Sequence, residues 1–303
     1  MILCADIGGT SAKLALVDRA GQIGARDEIS TSADYYRTPV LAAVIRGMGR
    51  FWETSEIQPE GIGVSATGQI DEETGVVIGT NGKIPGYEGT EIKKALETRF
   101  GVPVCALNDA NAAALGECFW GKARGKKNVV MVTLGTGVGG GIVMDGNCLG
   151  GCRGLAGEIG HFTLYQDGPL CPCGKRGCFE SYASTSALVK RAREAAGEPD
   201  LDGRTLFARA QAGDAAALRL IARWREDVAA GLSSLVHIFN PEMLLIGGGV
   251  SAQKELVIDP LRRLVRAQLL PRFSECLAIE QAALGNDAGV IGAAAFWISR
   301  NKS

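Results

Sequence analysis

The chain has 303 residues, 46% of them hydrophobic, and a formal net charge of −1, which gives room for one large domain or two ordinary ones with proper cores. Near neutrality, with a pI near 6.2, leaves no electrostatic pull toward nucleic acid or a membrane surface and points to small partners. Met1 to Ala5 is too short an apolar stretch before Asp6 to be a signal peptide or a membrane span; nine cysteines without a secretory leader then suggest a cytoplasmic protein with reduced thiols.

In chain order, Ile2 to Ile7 reads as a strand, Gly8-Gly9-Thr10 as a turn, and Lys13 to Asp18 as a second strand, with a possible third from Gln22 to Ile29. A helix is expected over Val40 to Trp52, a strand over Gly61 to Ser65, an amphipathic segment over Glu91 to Phe100 and a buried strand over Pro103 to Leu107. That strand runs into the N-capping pair Asn108-Asp109 and an alanine-rich helix, Ala110 to Phe119. Asn128 to Leu134 is again a β-branched strand, followed by a glycine turn from Gly135 to Gly141 and a short run ending in the hairpin signal Asp145-Gly146. Helices follow at Ser186 to Ala196, Gly203 to Ala212 and Ala215 to Phe239, then a strand from Met243 to Ile246 and Gly247-Gly248-Gly249. Strands alternate with helices, which makes the class α/β. The strand, glycine turn, strand unit occurs twice and suggests a duplicated architecture.

Glycine fills 42 of the 303 positions, about twice the usual ~7%. Gly135-x-Gly137-x-x-Gly140 formally matches a dinucleotide fingerprint, but that motif needs a helix after its glycines, and a hairpin follows here. Gly116 to Lys122 nearly spells a Walker A loop, yet Ala123 stands where its Ser or Thr belongs and no strand precedes it. A glycine-rich hairpin turn can still present converging backbone N–H groups to an anion. Two such turns, with Asp6 before the first and hydroxyls at Thr10 and Thr136, point to one nucleotide triphosphate. His161 with Cys171, Cys173 and Cys178 supplies an imidazole and three thiols, a closed tetrahedral set that suits a structural zinc ion. Asp109 reads first as a helix cap, with a base projecting from the end of a buried strand as the alternative.

Asp6-Ile7-Gly8-Gly9-Thr10, the run Leu107 to Ala114, Leu134 to Gly141, Gly157-Glu158-Ile159-Gly160-His161, the Cys171 to Glu180 cluster, Gly247 to Ser251 and Gly285 to Gly289 resemble, in this order, the ROK family of sugar kinases and repressors. The resemblance implies an actin-like ATPase fold of two RNase H-like domains, residues 1–118 with 288–303 and residues 119–287, holding ATP and a sugar in the cleft between them. It also implies Asp109 as the catalytic base, and Asn81, Gly82, Asn108, Asp109, Glu158, His161 and Glu180 as sugar contacts. Asp6, Gly8, Gly9, Thr10, Lys13, Thr136, Gly137, Gly248 and Gly249 become the cofactor set for ATP and Mg²⁺. Zinc-containing members carry the same His161, Cys171, Cys173, Cys178 spacing, and a homodimer is expected by likeness.

The implied activity is phosphorylation of a hexose at its 6-hydroxyl, with glucose ahead of N-acetylmannosamine, N-acetylglucosamine and fructose. The Asn81 to Thr90 loop departs from the glucokinase wording. A sugar-responsive repressor on the same body would need a winged helix-turn-helix ahead of the first strand and basic patches for DNA; the strand here opens at Met1.

Overall fold

In the computed structural model, residues 1–55, 57–80 and 82–301 are described. The chain begins with β1 (Ile2–Ile7), β2 (Ser11–Val17) and β3 (Ile23–Ser30), then α1 (Val40–Thr54), β4 (Gly61–Ala66), β5 (Gln69–Asp71), β6 (Val76–Gly79), α2 (Ile92–Phe100), β7 (Val104–Asn108) and α3 (Asp109–Phe119). It continues through β8 (Val129–Leu134), β9 (Val138–Met144), β10 (Asn147–Cys148), α4 (Glu180–Ala183), α5 (Thr185–Ala196), α6 (Gly203–Gln211) and α7 (Ala215–Phe239). The last elements are β11 (Met243–Gly247), α8 (Asp259–Gln268), α9 (Phe273–Cys276), β12 (Ala278–Gln281) and α10 (Ala288–Arg300). Two compact units result, one of residues 1–127, 141–157 and 283–303, the other of residues 128–140 and 158–282.

The strand orders are β3-β2-β1-β4-β7 and β10-β9-β8-β11-β12. By rank in the chain each reads third, second, first, fourth, fifth, so the repeat expected from the glycine turns extends to whole sheets. In the first sheet β2 runs antiparallel to β1 and β3, while β4 is parallel to both β1 and β7.

Alternation along β1 decides what each side of this sheet meets. Leu3, Ala5 and Ile7 join a core with Val44 and Met48 of α1 and Ile92 and Leu96 of α2. Ile2 and Cys4 point the other way, into a cluster with Val290, Ala293, Ala294 and Trp297 of α10. Asp6 shares the parity of Ile2 and Cys4, so the alternation itself carries its carboxylate to the α10 face.

Three sequence expectations change. The second glycine turn is confined to residues 135–137, because Gly139, Gly140 and Gly141 lie inside β9. Gly141 is needed there for approach rather than turning: a Cβ would strike the Ala110 carbonyl and come within 2.6 Å of the Ala114 methyl on α3. Helix α3 starts one residue earlier than expected, with Asn108 alone as its cap. Gly116, the first glycine of the near Walker A string, sits inside that helix, where no phosphate loop can form. Helix α10 carries no signal in the sequence. It is apolar on every side, with Ala288 through Trp297 almost continuously buried, so it shows no polar stripe for a periodicity argument to find.

Candidate active site

In the first unit the turn after β1 is braced from outside. The Gly8 N–H donates to the Ser11 carbonyl at 2.9 Å. The Gly9 carbonyl accepts from the Thr31 hydroxyl at 3.0 Å and the Tyr36 hydroxyl at 2.9 Å, and the Thr10 carbonyl from the Thr31 N–H at 3.0 Å. With these carbonyls turned inward to the fold, Thr10 itself stays exposed. Asp6 pairs in register with Lys13 and Ser65, and the Ser65 hydroxyl donates to Asp6 Oδ1 at 2.7 Å. Burial pushes the Asp6 carboxyl above its ordinary range, with the Ser65 hydroxyl and the Lys13 charge opposing. Opposite it lies Gly289, in the first turn of α10, where any Cβ would collide with the Asp6 carboxylate. Lys13 Nζ donates to the Asn286 carbonyl at 2.9 Å.

At the junction of β7 and α3, the Asn108 Oδ1 accepts from the Ala110 N–H at 2.9 Å and the Asn111 N–H at 3.3 Å, while its amide nitrogen donates to the Gly68 carbonyl at 2.8 Å. Capping thus falls to Asn108. Asp109, the first helical residue, is exposed, with Oδ1 accepting from the Ala110 N–H at 2.8 Å. The Tyr87 hydroxyl is buried without a hydrogen-bond partner among the described residues, and burial raises its pKa, with the nearby Asp109 charge adding to the shift. Gly82 takes φ +74° and donates its N–H to the Thr80 hydroxyl at 3.2 Å; Asn81 lies outside the described residues.

The second unit joins a glycine turn to two acidic segments. The Gly135 N–H donates to the Gly137 carbonyl at 3.0 Å, and the Thr185 N–H, at the start of α5, donates to the Gly135 carbonyl at 2.8 Å. At the other end of the turn the Val138 N–H donates to Glu180 Oε2 at 2.9 Å. A groove of about 1080 Å³ runs from Gly135 and Thr136 past Ser186, Lys190 and Arg193 of α5 and Arg204 of α6 to Gly249 and Val250. Gly248 has φ +85° and sits where a Cβ would meet the Leu134 backbone, so only glycine fits between β11 and β8 here.

Glu158, exposed, precedes a short turn of 3₁₀ helix that ends on His161. His161, Cys171, Cys173 and Cys178 bring their ligand atoms within 4.8 Å of one another. Cys171 Sγ lies 3.7 Å from His161 Nδ1, and Cys173 Sγ lies 3.6 Å from Cys178 Sγ. Tetrahedral ligation with Zn–S bonds of about 2.3 Å places sulfurs roughly 3.8 Å apart, so spacing and donor chemistry both fit a metal ion. Because Nδ1 is the ring atom turned to the thiols, Nε2 is left for another partner. The Lys175 N–H holds the Cys173 thiol below its ordinary range, whereas burial, with the neighbouring sulfurs adding, pushes Cys178 up to about 12. The other histidine, His237, is exposed and accepts from the Leu270 N–H through Nε2 at 3.2 Å.

The structure thus gathers Asp6, Gly8, Gly9, Thr10, Lys13, Asn108 and Asp109 in the first unit, and Thr136, Gly137, Glu158, His161, Glu180, Gly248 and Gly249 in the second. Sequence reasoning missed the braces Thr31, Tyr36 and Ser65, and the α5–α6 side of the groove. Ser65 could be found only by knowing that β4 pairs with β1. The groove residues look like the ordinary polar face of two amphipathic helices.

A sequence model of the ROK family matches residues 2–300. A glucokinase of Halalkalibacterium halodurans is 37% identical over 306 aligned residues, covering 95% of this chain and 92% of that protein. Among solved structures, the ROK hexokinase from Thermus thermophilus superposes with a TM-score of 0.86 at 33% identity, covering 100% of this chain and 99% of that one. A ROK family glucokinase from Streptomyces griseus, in complex with glucose and AMPPNP, gives 0.82 at 32% identity over 97% and 98% of the two chains. The two-unit α/β architecture is accordingly the actin-like ATPase fold, and the chain belongs to the ROK family.

Proposed function

We propose that the protein is an ATP-dependent kinase that phosphorylates the 6-hydroxyl of a hexose, with glucose as its best acceptor. The observation that carries this reading is the juxtaposition, inside one unit, of the 135–137 glycine turn with Glu180 and the Glu158 to His161 segment. A cradle of backbone N–H groups suits phosphate, and carboxylates beside an imidazole suit the hydroxyls of a sugar. The glucokinase names of the relatives, and the glucose and AMPPNP in the Streptomyces griseus structure, support the choice of sugar and nucleotide.

In this reading Asp109 takes the proton of the attacking hydroxyl, a role that suits an exposed carboxylate at the first position of α3. Asn108 would meet the sugar with the amide hydrogen that Gly68 leaves over, and Glu158, Glu180 and His161 Nε2 would hold further hydroxyls, as would Asn81 and Gly82. Gly9 and Thr10, together with Thr136 and Gly137, would supply donors to the phosphates, with Gly8 closing the first turn through its bond to Ser11. Asp6, with Lys13 beside it, would hold Mg²⁺, which neutralises charge on the transferring phosphoryl group. The groove past Gly248 and Gly249 would take the adenosine. Zinc on His161, Cys171, Cys173 and Cys178 would be structural, since four protein ligands leave no open position.

A coupled assay with ATP across glucose, N-acetylmannosamine, N-acetylglucosamine and fructose tests this. Glucose should give the highest kcat/KM, and Asp109→Asn should lower kcat by about 10²- to 10⁴-fold while glucose still binds. A higher kcat/KM for N-acetylmannosamine would overturn the choice of sugar. Absence of turnover with all four would sink the kinase reading.

A further inference from the structure

We infer that Glu180 is a positioning residue for the nucleotide as well as a ligand of the sugar, so that one carboxylate ties the two substrate sites together. This rests on the kinase reading above. Three features of the second unit lead to it. Glu180 Oε2 accepts from the Val138 N–H at 2.9 Å, and Val138 is the residue where the 135–137 turn enters β9. The carboxylate also lies hard against the turn itself: a Cβ on Gly137 would stand 2.5 Å from the same Oε2. Finally, Glu180 opens α4, and after the single residue Ser184 the chain enters α5, whose first N–H, from Thr185, holds the Gly135 carbonyl at 2.8 Å. The short α4 and the start of α5 therefore grip the turn at both ends, by a charged acceptor at Val138 and a donor at Gly135.

A hydrogen bond from a backbone N–H to a carboxylate is stronger than one between neutral groups, and it fixes the direction in which the remaining N–H groups of the turn point. The position of those donors decides how well a phosphate is bound. With Oε2 engaged by Val138, Oε1 is the oxygen that would meet a sugar hydroxyl. A sugar on Oε1 then fixes the carboxylate's rotamer and hence the turn, and a nucleotide that orders the turn fixes the carboxylate in return. Such coupling is reciprocal by thermodynamic necessity. Gly137 is glycine, on this account, because a methyl group would push the shared carboxylate away.

The test separates the two substrates. Titration of AMP-PNP with Mg²⁺ into the sugar-free protein should show affinity on the order of tenfold weaker in Glu180→Ala. Glu180→Gln, whose amide oxygen can still accept from Val138, should recover most of it. Titration of glucose into the nucleotide-free protein should show weakened sugar binding in Gly137→Ala, although residue 137 touches no sugar in the proposed arrangement. Unfolding temperature and metal content, measured alongside, should stay at wild-type values in all three. Unchanged AMP-PNP affinity in Glu180→Ala, or equal weakening in the Ala and Gln variants, would overturn the inference. Wild-type protein that takes up no AMP-PNP would overturn the kinase reading and this inference with it.

Discussion

Asp6 shows at the scale of one residue how a site can work against stability. Its carboxylate sits on the α10 face because β1 alternates, and burial raises its pKa against the pull of Ser65 and Lys13. The sign follows from linkage: between the ordinary carboxylate pKa and the raised folded value, the native state holds more protons than the unfolded chain. Stability therefore falls as pH rises through that window, and at neutral pH the full cost of the buried charge persists. Asp6→Asn removes the charge while Oδ1 can still accept from Ser65. We expect its melting temperature without Mg²⁺ to equal or exceed that of wild type, with kcat/KM for MgATP down by about a hundredfold, the equivalent of about 3 kcal/mol. Calorimetry and the coupled assay check the two halves, and a clearly lower melting temperature would contradict the desolvation argument. For the wild type, kcat/KM should fall as pH drops through the raised pKa, because the protonated acid would not hold the Mg²⁺ proposed for it. The sequence marked Asp6 through its glycine turn, but not its cost, because the cost comes from α10, a helix with no visible period.

At the scale of elements, α5 serves two neighbours. Thr185, Ser186, Val189, Lys190 and Arg193 face the groove, while Arg191 reaches away from it to Asp227 on α7 at 2.8 Å and to the Tyr182 carbonyl. Asp227 is almost wholly buried and also receives the Tyr165 hydroxyl at 3.3 Å, so the segment carrying the candidate metal ligands and the helix lining the groove hang on one carboxylate. Asp227→Ala would leave Arg191 unpaired at a site about a third exposed. The loss should be roughly 2 kcal/mol, below the 3–5 expected for a fully buried pair. Trp224 alone of the four tryptophans belongs to the second unit, and its indole donates to the Ala183 carbonyl at 2.9 Å. A urea titration followed by fluorescence should therefore report the shift, and a midpoint unchanged from wild type would refute it. None of this network is legible in the sequence. Amphipathic spacing located α5, α6 and α7 to within a residue or two, but a buried aspartate in a long helix looks like any surface charge until its neighbours are known. Local patterns of two or three residues, such as Asp-x-Gly-Gly-Thr or Cys-x-Cys, carry their chemistry in the sequence itself; braces between elements far apart in the chain do not.

At the scale of the whole molecule the repeated strand order sets a simpler question, namely whether the halves stand on the same footing. The first unit has cores on both sides of its sheet, closed by α1 and α2 on one side and α10 on the other. In the second, the span from His161 to Phe179 contains bridges at Thr163–Cys178 and Leu170–Arg176 and exposed Leu170, with no regular helix or strand. Its aromatic contacts are the stack of Phe162 on Phe179 and the edge-on packing of Tyr165 against Tyr182, each pair 5.0 Å apart. These contacts and the Tyr165 bond to Asp227 offset only part of the entropy of ordering such a length of chain, and the zinc proposed for His161 and the three cysteines would supply the rest. We expect about one zinc per chain by elemental analysis and its loss in Cys173→Ser. Amide exchange should then rise sharply over residues 161–179 and stay at wild-type levels in β1, β4 and α10. Glucose affinity should fall with the metal, because an unligated His161 would no longer have its ring held with Nε2 toward the proposed sugar. Well-folded protein with no metal, or exchange that rises equally in both units, would show that the loop stands by other means.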